Sequence, residues 1–334
     1  MNAPTLSELP PPPPGKNGWP WTEQTLQLAP LMSTGQPWPR ISIVTPSLNQ
    51  GQFLEETLRS VLLQGYPDLE YIVIDGGSTD SSVDIIKKYA DWLSHWESVR
   101  DRGQSHAINK GFARASGNIW AWINSDDIYL PGALNAFALL HARRPDAVLL
   151  VGACEMIYGN GDIRLQIGQA EGFLDYLDPM RRARKAAVQQ PAFMWRSERA
   201  LEVGPLDEEN HISMDLDFAL RLLELEHTVA CMPKPVARFR VHKGQKSGGY
   251  LISAPALLET QVRHFKRVQH LLPAEEQQQI QRNLRTTQAH IDLARFARSG
   301  WVDGAAFVRS FVCDPRVIGS RIWERLRALG WPAQ

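Results

Sequence analysis

The chain has 334 residues, 43% hydrophobic and 22% charged, enough for one large globular domain with an appendage. Its 36 basic and 36 acidic side chains cancel, which excludes a dedicated nucleic-acid binder, because neutralising phosphates needs a surplus of Lys and Arg. Cys154, Cys231 and Cys313 are too scattered for a disulfide framework or a zinc site and read as reduced thiols of a cytoplasmic protein.

Residues 1–40 hold ten of the 23 prolines and little apolar periodicity, so they read as an extended arm with Trp19, Trp21 and Trp38 as anchors. Pro10 to Pro14 stand where a secretory leader would carry its apolar run, and no leader is expected. From Ile41 the texture changes. Ile41-Ser-Ile-Val-Thr45 predicts a buried strand that turns at Pro46, and Leu54, Leu58, Val61 and Leu62 follow at helical spacing. Tyr71-Ile-Val-Ile74 predicts a second strand ending at Asp75, then a helix through Val83, Ile86 and Ala90. Ile108, Phe112 and Ala115 mark another helix, and Ile119-Trp-Ala-Trp-Ile123 another strand, ending at Asn124. Strands alternating with helices in this way predict an α/β fold with right-handed crossovers and a mainly parallel sheet. The ligand crevice of such a sheet lies beyond the carboxyl ends of its strands, which is where the polar residues appear.

After Ala147 the pattern is mixed. Short strands are expected, with a helix over Asp215 to Leu225 and two strands, Thr228 to Met232 and Val236 to Val241. The apolar run from Ala147 to Ile157 is too short to span a bilayer. His242 opens a loop rich in Gly and Lys, and from about Pro255 the chain turns helical. There Phe265, Leu272, Leu284, Ile291, Phe307 and Phe311 form an apolar stripe that wants a partner. Twelve basic against seven acidic residues, with Trp323 and Trp331 near the end, also suit an anionic membrane surface. Packing on the body or on a second copy is the favoured reading of the two.

Several polar clusters carry candidate chemistry. Asp75-Gly-Gly-Ser-Thr-Asp80 reads equally as a ligand-binding turn, with Asp75 accepting from a base or ribose, and as a turn that caps the next helix. In Asn124-Ser-Asp-Asp127 the carboxylates of Asp126 and Asp127 repel unless a cation such as Mg²⁺ or Mn²⁺ neutralises them. Asp215 and Asp217 open an amphipathic helix, where they would stabilise its dipole or supply a general base. His242 is a candidate metal or phosphate contact, with Lys243 and Lys246 beside it.

Five segments stand in the order seen in glycosyltransferase family 2, and the chain resembles that family from about Ile41 to Ser247. They are Val44-Thr-Pro-Ser-Leu-Asn-Gln50, Asp75-Gly-Gly-Ser-Thr-Asp80, Asp101-Arg-Gly-Gln-Ser-His-Ala-Ile-Asn-Lys-Gly111, Asn124-Ser-Asp-Asp127 and Met214-Asp-Leu-Asp-Phe-Ala-Leu-Arg221. The resemblance implies a GT-A fold, a Rossmann-like mixed sheet flanked by helices, and transfer with inversion from a nucleotide sugar. It implies a nucleotide-sugar pocket of Pro46, Ser47, Asn49 and Asp75, completed by Asp101, Lys110, Ser125 and Asp126. It implies Mn²⁺ or Mg²⁺ on Asp126, with Asp127 and His242 as further ligands. Asp215 would be the catalytic base, and Gln189 and Gln190 would face the acceptor. The implied donor is a UDP-sugar, and the acceptor a glycan or lipid-linked hydroxyl in cell-surface polysaccharide synthesis.

Three positions depart from the family pattern. Asn124 replaces an Asp, Met214 replaces a Glu, and Val99 stands where Glu is common. These departures keep a catalytically silent nucleotide-sugar-binding module as the alternative. A dehydrogenase or P-loop kinase is disfavoured, because no GxGxxG follows the first strand and no GxxxxGK[ST] occurs. The expected organisation is an arm over 1–40, a catalytic domain over 41–250 and a helical extension over 251–334, with a homo-oligomer or peripheral membrane contact through the extension.

Overall fold

The computed structural model describes residues 3–224, 227–242, 244–246 and 249–299. Its first half alternates as the apolar spacing requires: β1 (Ile41–Ser47), α1 (Leu54–Leu62), β2 (Leu69–Asp75), α2 (Ser82–Lys88), β3 (His95–Ser98), α3 (Gln104–Phe112) and β4 (Ile119–Trp122). A short β5 (Ile128–Tyr129) and α4 (Ala133–Arg143) lead to β6 (Ala147–Tyr158) and β7 (Ile163–Gln166). Then come α5 (Phe173–Leu177), α6 (Pro179–Arg181), β8 (Phe193–Arg196), α7 (Ser197–Val203), α8 (Met214–Leu223) and β9 (Thr228–Val241). Two long helices, α9 (Tyr250–Val268) and α10 (Ala274–Ser299), close the described chain.

All strands join one sheet in the order β3-β2-β1-β4-β8-β6-β9-β5, with β7 paired to β6. β3, β2, β1 and β4 run parallel, β8 is antiparallel to both neighbours, and β6 and β9 are again parallel to each other. Every residue of β1 is buried, as a strand covered on both faces must be. α3 lies so close on β1 that a Cβ on Gly111 would sit 2.4 Å from Val44, so only glycine fits there. Beneath α8 the core is aromatic. Trp195 packs edge-on against Trp122 at 5.0 Å and Phe218 at 5.2 Å.

Two expectations change. The two strands around Thr228–Met232 and Val236–Val241 are one strand, β9, which stays paired with β6 through register shifts between Val151 and Cys154. Pro233 and Pro235 sit at this irregularity, where prolines without N–H groups cost no ladder bond. β6, expected as short, runs twelve residues.

The arm lies against the body through a buried guanidinium. Arg59 on α1 is fully buried and donates to the carbonyls of Pro10 (2.8 Å), Pro20 (3.0 Å) and Trp21 (3.0 Å) and to the Tyr89 hydroxyl (3.0 Å). Carbonyl partners of this kind compensate a buried cation without a second charge. Trp19 donates its indole N–H to Tyr129 O at 2.8 Å, and Trp38 meets Tyr66 edge-on at 5.7 Å.

α9 and α10 form a hairpin packed on α5, α6 and α8. Phe265, Leu272, Leu284 and Ile291 of the apolar stripe are buried there, each such side chain contributing roughly 1.5–3 kcal/mol. Polar contacts fix its register: Gln261 donates to Tyr176 O at 2.9 Å, Asn283 to Asp178 at 2.7 Å, and Arg181 pairs with Glu276 at 2.8 Å. Phe307, Phe311, Trp323, Trp331 and Cys313 lie outside the described residues. Among the described residues no helix is long and apolar enough to cross a membrane.

Candidate active site

The parallel register sets Ser47, Asp75 and Ser98 side by side at the carboxyl ends of β1, β2 and β3. Asp75 is fully buried and its carboxylate is saturated. It accepts from the N–H groups of Gly77 (3.1 Å) and Ser78 (2.8 Å) and from the hydroxyls of Ser78 (2.5 Å) and Ser98 (2.7 Å). Of the two readings of Asp75, the turn-forming one has the contacts. Asn49, at φ 53°, accepts from Thr79 N at 2.8 Å, while its own N–H donates to Ser78 Oγ at 2.7 Å. Gly51 N donates to Asp80 at 2.9 Å and Gly76 N to Ser47 O at 2.8 Å, so the loops after β1 and β2 are stitched into one rim. Pro46 and Ser47 are buried, and the Ser47 hydroxyl has no protein partner.

Asp101 closes over this rim. A Cβ on Gly76 would come within 2.7 Å of its carboxylate, and Gly103 N donates to it at 2.8 Å. Lys110 pairs with Glu97 on β3, which also faces His95 and Arg114, and holds the Glu97 carboxyl below the usual range. Glu97 therefore supplies an acid two residues before Val99, where the family pattern puts one.

Beyond β4, Asp126 and Asp127 point apart. Asp126 meets His242 at 3.0 Å (Oδ2 to Nε2), and both side chains are partly exposed. Phe53 braces the His242 ring at 5.0 Å, and the Arg240 guanidinium stacks over the same Phe53 ring at 4.9 Å. Asp127 turns inward. It is buried, its Oδ1 accepts from Arg240 N at 3.0 Å, and its Oδ2 has no partner. Burial pushes its carboxyl well above the usual carboxylate range, and the Asp126 charge pushes it the same way. Ser125 is also buried; Thr57 donates to its carbonyl at 3.0 Å and to that of Asp127 at 2.7 Å, which fixes the turn.

The first turn of α3 ties these parts to α8. Gln104 donates to Asn124 at 2.7 Å, and Ser105 Oγ lies 2.9 Å from the Met214 sulfur. Two of the three departures from the family pattern, Asn124 and Met214, are thus contacts of α3. Next to Met214, Asp215 accepts from Leu216 N at 2.8 Å. Burial raises its carboxyl, while the Arg182 charge and that N–H pull the other way without cancelling the rise.

Asp217, two residues on, faces the hairpin. His264 reaches it at 2.8 Å, Arg263 at 2.7 Å and Arg221 at 3.0 Å. Burial raises its carboxyl, but the His264 hydrogen bond and the Arg221 charge outweigh that and hold it at about 2. A carboxylate so strongly paired is a poor proton acceptor.

Gln190 donates to Trp122 O at the end of β4 at 2.9 Å and is buried, whereas Gln189 is half-buried and its N–H donates to Gln166 on β7 at 3.2 Å. Lys246 is exposed, and Lys243 lies outside the described residues. No group of three or more His, Cys, Asp or Glu side chains gathers at a metal-sized point among the described residues. Sequence reasoning missed Arg182, whose charge opposes the rise that burial gives the Asp215 carboxyl. The basic run Arg181-Arg182-Ala183-Arg184-Lys185 was the available signal, but nothing in it shows which cation faces inward.

Residues 42–204 match the family model described as glycosyl transferase family 2. An uncharacterized glycosyltransferase of Mycobacterium tuberculosis is 30% identical over 185 residues, 55% of this chain and 68% of its own. TuaG of Bacillus subtilis, named for teichuronic acid biosynthesis, is 38% identical over 92 residues, 27% of this chain and 36% of its own. Among solved structures, S. aureus TarS 1–349 in complex with UDP-GlcNAc superposes with a TM-score of 0.54 at 16% identity, covering 86% of this chain and 92% of TarS 1–349. The mannosyltransferase PcManGT of Pyrobaculum calidifontis, in complex with GDP-Man and Mn²⁺, gives 0.55 at 19% identity, with 89% and 83% coverage. These likenesses show the GT-A fold.

Proposed function

The chain belongs to glycosyltransferase family 2, and from that premise we propose that it moves a sugar from a UDP-sugar to the hydroxyl of a glycan or lipid-linked acceptor, inverting the anomeric carbon. The observation that carries this reading is the division of labour among the acids: Asp126 with His242 at one strand end, and Asp215 alone with a raised carboxyl on α8. The rim of β1 and β2, with Asp75, Asn49 and Asp101, would hold the nucleotide through backbone groups that these side chains fix, and the buried Ser47 hydroxyl is left for a ligand. Lys110 acts on this pocket through Glu97. The UDP-GlcNAc bound by TarS and the GDP-Man bound by PcManGT support a nucleotide-sugar donor.

The donor set fits a divalent cation. One carboxylate and one imidazole in contact, both partly exposed, are a donor pair that would suit Mn²⁺ better than Mg²⁺. Asp126 and His242 would hold it, Asp127 being turned inward, and the cation would supply charge neutralisation for the leaving diphosphate. Asp215 accepts the proton of the attacking hydroxyl, because burial raises its carboxyl and makes it a stronger base, and among the described residues only one of its oxygens takes a donor. Attack from the face opposite the diphosphate gives inversion in a single displacement. The acceptor lies by Asp215 and Gln189; the name of TuaG supports a polysaccharide. Free thiols at Cys154 and Cys231 suit a cytoplasmic setting.

A panel of UDP-sugars with and without EDTA, read by UDP release and by ¹H NMR of the product anomer, tests this. Metal-dependent release with an inverted product is expected. Binding without any release would favour a silent nucleotide-sugar-binding module, and a retained anomer would overturn the single displacement.

A further inference from the structure

The first turn of α8 carries Asp215 between two polar residues that a local reading keeps for the helix itself. Ser213 stands at the N-cap position and Asp217 in the first turn, where a hydroxyl and a carboxylate serve the free N–H groups and the dipole. Both turn outward instead. The Ser213 side chain caps no N–H of α8; its hydroxyl lies 2.8 Å from that of Thr260 and 3.1 Å from Ala256 O, both on α9, and 3.1 Å from Asn210 Oδ1. The Asp217 carboxylate accepts from His264 at 2.8 Å and from Arg263 at 2.7 Å, again on α9.

These contacts are two rungs of one ladder. Ser213 and Asp217 are one helical turn apart, and so are Thr260 and His264, so matched positions of the two helices meet. All four residues are buried, and Asp217 N closes the α8 turn on Ser213 O at 2.9 Å. Satisfied polar contacts inside a core fix one register where apolar packing alone lets helices slide or roll. α9 has its own anchor, since Gln261, next to Thr260, donates to Tyr176 O on α5 at 2.9 Å.

Asp215 lies midway between the rungs, about 200° round the helix from each, and so on the face turned away from α9. Its one hydrogen bond among the described residues comes from Leu216 N in the same turn, so the backbone of that turn sets where the carboxylate points. With the carboxylate about 6 Å from the helix axis, a roll of about 10° moves it by about 1 Å. A misplacement of that size can cost about 10²-fold in rate.

We propose that α9 is the positioning element of the active site: Thr260 and His264, acting through Ser213 and Asp217, fix the roll of the first turn of α8 and thereby aim the Asp215 carboxylate at the acceptor hydroxyl. The inference rests on the reading of Asp215 as the acceptor-side base. It makes the hairpin, which lies beyond the family-matched residues 42–204, a working part of the site as well as a cover for the core.

The test uses the full chain with ¹³C-labelled Asp carboxyls, the Asp215 resonance being identified by its loss in Asp215→Asn. Thr260→Val with His264→Leu removes both rungs while Arg221 and Arg263 still pair with Asp217, so the fold is expected to survive, as melting curves will show. In that double variant the Asp215 titration midpoint should move down toward the ordinary carboxylate value, because a rolled turn brings the carboxyl to water. Affinity for UDP with Mn²⁺ should stay within about twofold, since the donor contacts lie on other elements. Thr260→Ser with His264→Gln restores both donors and should restore the midpoint, and Asp217→Asn, which keeps an acceptor for His264, should leave it in place. On the donor that turns over in the UDP-sugar panel, the double variant should lose at least about tenfold in kcat with the donor KM kept. If the double variant does not fold, the single variants Thr260→Val and His264→Leu are read in the same way. An unchanged midpoint or an unchanged kcat in the folded variant overturns the proposal, and so does a parallel loss of UDP affinity, which would make the hairpin a support for the whole domain. The titration needs no turnover, so failure of the transferase reading appears separately, as absent UDP release or as full activity in Asp215→Asn.

Discussion

On the β1–β2 rim the polar side chains bind one another. Asp75 takes four donors, Asn49 holds Thr79, and Asp80 holds Gly51. Across the site, among the described residues, the Asp215 carboxylate takes one backbone donor on α8, and the Asp126 carboxylate meets only His242. The rim spends its side chains on fixing a backbone shape, whereas the far side holds charges in reserve. A motif rich in Asp and Ser is thus a poor guide to which oxygens meet a ligand; the unsatisfied atoms are the better one. α8 repeats the contrast within one turn, since Asp215 is raised and open while Asp217 is depressed and paired.

The sharpest way to break this contrast is Asp215→Asn, which keeps the shape and removes the proton acceptor. Turnover should fall about 10²- to 10⁴-fold with UDP affinity kept. Next, Asp126→Ala should abolish metal-dependent UDP release at any Mn²⁺ concentration, and His242→Ala should raise the Mn²⁺ requirement by about tenfold. Full activity in EDTA would remove the metal from the account.

Asp217→Asn should leave turnover per folded molecule intact and instead cost about 2 kcal/mol of stability, the equivalent of its depressed carboxyl. Because the folded-state value lies below the unfolded one, that stabilisation is full above about pH 4 and fades as the pH falls toward 2. Acid unfolding curves of the two proteins should therefore converge at low pH. The smallest effect is expected from Asp127→Asn. An amide replaces a carboxyl already pushed toward neutrality and still accepts from Arg240 N, so turnover should stay within about threefold. A loss as large as that of Asp126→Ala would make Asp127 a ligand.

Much of this was legible in the sequence. Continuous apolar runs placed β1, β2 and β4, because a sheet covered on both faces demands them, and a spacing of 3.6 placed α1 to α3. The motif order placed the acids at the strand ends. What the sequence could not supply were orientations. Nothing in Asp126-Asp127 tells which carboxylate turns inward; the β9 backbone at Arg240 decides it. Nothing in Met214-Asp-Leu-Asp217 reveals that His264 and Arg263, some 50 residues on, claim the second Asp. The prolines of β9 split one strand into two in a local reading, although a bulge accommodates them.

The claim at the centre is that Asp215 accepts the proton, and the pH dependence of kcat/KM tests it most directly. Protonating the base stops the reaction, so the rate should fall on the acid side through a value above the usual carboxylate range, because burial raises the Asp215 carboxyl. Asp215→Asn should retain only a small residual rate without that limb. An acid limb at an ordinary carboxylate value, or one that survives unchanged in Asp215→Asn, would contradict the account.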